Sequence, residues 1–148
     1  MKVVVQRVSR AQVKVKNQVT GKIGKGLLLL VGIHERDNEE ILNWVCSKIQ
    51  KLRIFEDEKG KMNESVTDIN GEILVVSQFT LYGDIEKGNR PSFVEAAKPD
   101  KAEKLYQQMI EIFNRKSNKP VETGVFGAMM EVELTNNGPV TLIVEKTE

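Results

Sequence analysis

The N-terminal third of the chain alternates in the manner of strands. Val3, Val5 and Val8 are β-branched, and Val13 and Val15 alternate with Lys14 and Lys16, the period-two spacing of a half-buried strand. Asn17-Gln18 and Gly21 supply turn signals, so a hairpin or meander is expected up to Ile23. Gly26 to Ile33 is a short apolar run bounded by glycines, the pattern of a strand covered on both faces. The period then changes. Ile41, Val45, Ile49 and Leu52 recur on one helical face, and Asp37 and Glu40 have capping-box spacing, which predicts a helix that ends near Arg53. Phe55 to Gly60 reads as a polar turn, and Asn70-Gly71 precedes a core strand running from Glu72 to Leu81. Gly83 to Pro91 reads as loop. Pro99-Asp100 opens a second helix, with Ala102, Leu105, Tyr106, Met109 and Phe113 on its apolar face. Ala128, Met130, Val132 and Leu134 alternate with acidic positions, and Val140, Leu142 and Val144 alternate again. Asn136-Asn137-Gly138-Pro139 between them reads, on composition, as a β-turn. The pattern predicts an α/β or α+β fold: one compact, β-rich domain with a largely antiparallel sheet and two main helices.

The 148 residues carry no fixed-period repeat, linker or low-complexity tract, so a single domain over residues 1–148 is expected. Apolar residues make up 40% and charged residues 29%, an ordinary globular mixture that argues against disorder. Cys46 is the one cysteine; it excludes an intramolecular disulfide framework and fits a reducing compartment. His34 is the one histidine, which leaves too few soft ligands for a closed zinc site. No apolar run approaches the ~18–20 residues of a membrane span, and no signal-like h-region follows Met1, so a soluble, cytosolic protein is expected. The net charge of +1 conceals an asymmetry: Lys2, Arg7, Arg10, Lys14, Lys16, Lys22 and Lys25 precede the first acidic residue, Glu35. A one-signed stretch can attract a polyanion, although lysines on exposed strands also protect against edge-to-edge pairing.

Familiar catalytic templates fail. A Ser-His-Asp or Cys-His arrangement would have to use His34, which falls at a strand end beside Glu35-Arg36-Asp37 and reads as a loop residue. There is no Gly-x-Ser-x-Gly elbow, Walker A or Gly-x-Gly-x-x-Gly sequence. Cys46 lies beside the apolar stripe of the first helix with no cation cluster to activate it. Two segments are harder to dismiss. Ser77-Gln78-Phe79-Thr80-Leu81 delivers a hydroxyl and an amide from the end of a core strand; as a regular strand it would put Gln78 and Thr80 on one face. Gly138-Pro139 joins a residue without Cβ to the residue type that most readily adopts a cis peptide. Either segment could equally be an ordinary strand edge or turn.

At these segments the sequence resembles the bacterial-type D-aminoacyl-tRNA deacylase family. The resemblance runs through Val5-Gln6-Arg7-Val8, Gly26 to Gly32, Ser77 to Leu81, Gly88-Asn89-Arg90-Pro91-Ser92-Phe93, Gly124 to Met130 and Thr135 to Thr141. It implies a β-rich α/β fold of that family and a homodimer. The implied reaction is hydrolysis of the ester between a D-amino acid, or glycine mischarged on alanine tRNA, and the 3′-terminal adenosine of tRNA. That is a proofreading step in translation, with no cofactor or metal implied. By position it implies catalytic roles for Ser77, Gln78, Phe79 and Thr80 of one subunit. Gly138 and Pro139 of the other would form a Gly-cisPro motif for chiral selection, with Phe126 and Met130 as pocket walls and Arg7 fixing the Gly-Pro bend. Thr80 could act as nucleophile, or could position a substrate whose own 2′-hydroxyl assists water. The rival readings are the related deacylase class that removes L-alanine from threonine tRNA, and a non-catalytic tRNA-binding module.

Overall fold

The computed structural model describes all 148 residues. One long strand organises it. Strand β1 (Lys2–Val15) pairs antiparallel with β2 (Gln18–Ile23), with β3 (Gly26–Gly32) and, along its other edge, with β8 (Glu131–Glu145). The β1–β2 connection is a two-residue turn in which Lys16 (φ 50°) and Asn17 (φ 63°) are both left-handed, the geometry whose twist matches a hairpin. The turn therefore falls one residue earlier than the sequence suggests, and Gly21 lies within β2.

Helix α1 (Glu39–Lys51), the short ribbon of β4 (Phe55–Glu56) with β5 (Met62–Glu64), and then β6 (Glu72–Ser77) follow. β6 returns parallel to β3, and β7 (Glu122–Thr123), reached through α2 (Pro99–Lys116), returns parallel to β6. Parallel neighbours require long crossovers, which the two helices provide. The sheet is thus antiparallel on the β1 side and parallel on the β6 side. Its ends approach each other: the Lys22 amide donates to Glu122 Oε1 at 3.3 Å.

Alternation along the central strands divides the core in two. Leu27, Leu29 and Val31 of β3, with Ile73 and Val75 of β6, face the helices and pack with Ile41, Val45, Ile49, Leu105, Met109 and Phe113. Leu28, Leu74 and Val76 face the other way and meet Val8, Ala11, Val13 and Ile23. The Tyr106 hydroxyl donates to the Val75 carbonyl at 3.0 Å and pins α2 to the sheet.

Three local expectations are corrected. The cap of α1 is Asn38, whose side chain accepts from the Ile41 amide at 3.0 Å, not Asp37. The buried Asp37 carboxylate instead accepts from the Met1 amino group at 2.6 Å and from the His34 amide at 2.7 Å. Phe55 to Glu64 is a ribbon where a plain turn was expected. Residues 131–145 form one strand rather than two joined by a turn, and residues 124–130 lie outside it.

Phe113 is fully buried. Phe113→Ala is expected to cost about 3–5 kcal/mol, read as a lower denaturant midpoint at unchanged m-value.

Candidate active site

The core strand β6 ends earlier than its sequence suggests. The Gln78 amide donates to the Val31 carbonyl at 2.7 Å as a last rung beside β3, and the chain then winds into a single 3-10 turn, Phe79–Tyr82. The expected alternation through Leu81 does not occur. The turn folds back over the end of β3 because Gly32 has no side chain: a Cβ there would lie 3.0 Å from Leu81 Cβ and 3.2 Å from the Tyr82 ring. As a result Gln78 Nε2 donates to Thr80 Oγ1. At the start of the turn, the backbone N–H groups of Phe79 and Thr80 have no acceptor in the protein.

Phe79 and Thr80 both line an open cavity of about 840 Å³. Ser77 and Gln78 line it as well, together with Phe126 and Met130. The Phe79 ring meets Phe93 edge-on at 5.1 Å between centroids, while Phe126 lies 5.6 Å from the ring of Tyr106. The segment carrying Phe126 is tied to the sheet by the Gly124 amide, which donates to the Val75 carbonyl at 3.2 Å. The rim is apolar and uncovered, with Phe79 53% and Met129 92% exposed. Phe93 and Met129, which also line the cavity, were not among the positions singled out as site residues; in sequence they are scattered apolar residues on segments without periodicity.

Lys98 is the one ionisable side chain on the cavity wall. His34 is not part of it: Nδ1 accepts from the Arg36 amide at 3.0 Å, and the ring stacks edge-on against Tyr82 at 5.1 Å. Burial, and behind it the Asp37 carboxylate, hold the Tyr82 phenol above the ordinary tyrosine range. Chemistry at this wall can draw on hydroxyls, amides, main-chain donors, the Lys98 ammonium and whatever the substrate brings.

Gly138 and Pro139 are not in this cavity. They occupy a bulge of β8, where Gln6 pairs with Thr141 and Val8 with Asn136, so residues 137–140 all stand opposite Arg7. Ser77 is level with Val31 on β3 and hence with Val3 on β1. At ~3.3 Å per residue and ~4.8 Å per strand, the bulge lies on the order of 15–20 Å from the Ser77 end of the same chain. Arg7 holds it from beneath, Nε donating to the Asn137 carbonyl at 3.0 Å and Nη1 to the Ile54 carbonyl at 2.8 Å. The Asn136 side chain closes it, Oδ1 accepting from the Val140 amide at 3.1 Å. Only glycine fits at position 138: its φ is +127°, and a Cβ would lie 2.8 Å from Val140 Cγ2 and 2.9 Å from Arg7 Nη2. The Gly138–Pro139 peptide is cis, and both residues are exposed.

The basic N-terminal stretch is less free than its composition suggests. Lys14 pairs with Glu133 at 3.1 Å and Lys2 with Glu145 at 3.7 Å, while Arg7 is buried.

An open, mostly apolar cavity with a few polar groups, at the end of a parallel strand pair, has the form in which proteins bind small organic groups. The family model for D-Tyr-tRNA(Tyr) deacylase matches residues 4–145. A Geobacillus sp. (strain WCH70) protein named D-aminoacyl-tRNA deacylase is 60% identical over 148 residues, covering 100% of this chain and 97% of that protein. One of the same name from Chloroherpeton thalassium is 57% identical over 98% of this chain and 95% of its own. Among solved structures, one described as c-Myc DNA unwinding element binding protein superposes with a TM-score of 0.95 at 42% identity over all of both chains. A probable eukaryotic D-amino acid tRNA deacylase shares the fold alone, with a TM-score of 0.82 at 18% identity over 97% of each chain. The chain belongs to the D-aminoacyl-tRNA deacylase family, and its activity is hydrolysis of the ester that joins a D-amino acid to tRNA.

Cys46, the most reactive side chain in isolation, takes no part. It is fully buried on the inner face of α1, and burial pushes its thiol from an ordinary 9.0 up to about 12. The neutral thiol is the form the fold accepts, so this contribution to stability is complete below pH about 9 and is lost as pH rises toward 12. Native protein should resist iodoacetamide at pH 8, and Cys46→Ala should flatten the fall in unfolding free energy between those pH values. The Tyr106 phenol, raised by burial to about 12, is present in both proteins and cancels from the comparison.

Proposed function

We propose that the cavity between Ser77–Thr80 and Phe126–Met130 receives the aminoacylated 3′-adenosine of tRNA, and that the free N–H groups of Phe79 and Thr80 stabilise the tetrahedral oxyanion. Those two unpartnered donors are the observation that carries the reading. Water attacks the ester carbon, the oxyanion forms against the amides, and collapse expels the ribose 3′-oxygen, which takes up a proton. Donors of this kind contribute on the order of 3–4 kcal/mol to the barrier without any titrating side chain. An aminoacyl ester is already activated, and a vicinal ribose 2′-hydroxyl can assist the water. Phe126 and Met130 wall the pocket, while Ser77 and Gln78 orient its polar edge.

Thr80 positions the substrate rather than attacking it. A hydroxyl nucleophile needs a base, and its Oγ1 already accepts a hydrogen bond from Gln78. Thr80→Ala should deacylate D-tyrosyl-tRNA within about tenfold of wild type in single-turnover kinetics. A loss of ~10⁴ or more in that step would restore Thr80 as the nucleophile.

The active unit is a homodimer in which Gly138-Pro139 of one copy enters the cavity of the other. Two observations support it: the bulge lies far from the cavity of its own chain, and the cavity rim leaves Phe79 and Met129 uncovered. Main-chain oxygens of the bend, set against the direction of an L side chain, exclude L-amino acids and leave a D side chain pointing outward. Residues 1–148 then act as one deacylase domain on aminoacyl-tRNA, a cytoplasmic substrate; no helix is long and apolar enough to cross a membrane. In a substrate series, D-tyrosyl-tRNA and glycyl-tRNA(Ala) should be hydrolysed and L-tyrosyl-tRNA spared. Comparable turnover of the two tyrosyl enantiomers would remove the steric account.

A further inference from the structure

Behind the Gly138 bulge lies a second cleft, of about 320 Å³, lined chiefly by polar residues: Arg7, Ser9, Lys25, Glu56 and Asn137, with Phe55 as its apolar floor. Arg7 is 6% exposed, yet no carboxylate comes within ion-pairing distance of it. Its partners are two neutral carbonyls, of Asn137 and Ile54. A buried guanidinium normally has an anion beside it. Lys25, exposed on the rim, has neither an ion pair nor a hydrogen bond from its ammonium. Its main chain is fixed by the Glu72 amide, which donates to the Lys25 carbonyl at 3.0 Å. Glu56 is the only acid on the wall and is likewise unpaired, so the cleft carries a formal charge of one positive unit.

We propose that this cleft is a phosphate subsite for the 3′ strand of the tRNA substrate, taking a phosphodiester between Arg7 and Lys25. The inference rests on the placement of Gly138-Pro139 in the aminoacyl site of a second copy. With the terminal adenosine held there, a strand that leaves the site over the flank of the bulge meets this cleft, because Asn137 belongs to both. A singly charged diester with two free oxygens matches the charge, and Arg7 Nη2, which donates to nothing in the protein while Nε and Nη1 hold carbonyls, remains to bond one of those oxygens. The same Arg7 anchors the Asn137 carbonyl. Phosphate binding therefore sits one hydrogen bond away from the bend, which Arg7 already holds without it.

The test uses Lys25→Ala and Lys25→Glu in the full-length protein, with D-tyrosyl-tRNA compared against the D-tyrosyl ester of adenosine, which has no phosphate. For the tRNA, KM should rise about tenfold in Lys25→Ala and further in Lys25→Glu, with kcat unchanged. The slope of log affinity against log salt should fall by about 0.7, one single-strand phosphate contact. The adenosine ester and the D-to-L ratio should not change. Inorganic phosphate should inhibit wild type on tRNA only. An unchanged salt slope, an equal loss on both substrates, or phosphate inhibition of both would overturn the assignment. If wild type itself fails to discriminate D from L, the placement of Gly138-Pro139 has failed instead, and the salt slope still judges the cleft.

Discussion

Four residues of β8 stand opposite the single residue Arg7 of β1, and the functional anatomy depends on that mismatch. From Lys2 to Gln6 the two strands pair regularly, and beyond Val8 the ladder skips Ser9 before it resumes at Arg10. The extra length cannot be absorbed in the ladder, so it is expelled as a bend that presents Gly138 and Pro139 to the outside. Left alone, such a bend would be floppy. Arg7 prevents this by holding its first carbonyl from below, at the cost of burying a cation without a carboxylate. The result is an exposed backbone feature held from within its own chain and lying away from that chain's cavity.

The cavity shows the complementary economy. Its walls are apolar, its only ionisable side chain is Lys98, and its most useful groups are two amides left over where β6 turns into a 3-10 helix. Those amides are free for a topological reason. The turn begins immediately after the last rung to β3, so neither the sheet nor the turn can supply an acceptor. Hydrolysis of an activated ester can proceed with such sparse machinery, because fixed dipoles stabilise a developing oxyanion without reorganising.

Much of this architecture is readable in the sequence, and the parts that are not share a cause. The apolar stripes of α1 and α2 and the doubly covered run of β3 appear in the structure where their periodicities put them, since burial is enforced residue by residue along an element. The capping of α1 was misplaced by one residue because Asp37 and Asn38 are both able caps locally. Only the buried Met1 amino group and the His34 amide, far away or outside the helix, claim the Asp37 carboxylate. Likewise Lys14 looks free until Glu133, from the other end of the chain, is laid beside it.

The chain alone determined the periods of its strands and helices, the absence of familiar catalytic residues, and, through Ser77–Thr80 and Thr135–Thr141, the resemblance to its family. Tertiary structure decided what shape those motifs take. Whether Ser77–Leu81 continues as strand or turns depends on the vacant space over Gly32, and whether 136–139 is a hairpin or a bulge depends on β1 being long enough to pair with both flanks. Both are questions of what lies opposite in space, and nothing in the local order of residues encodes that.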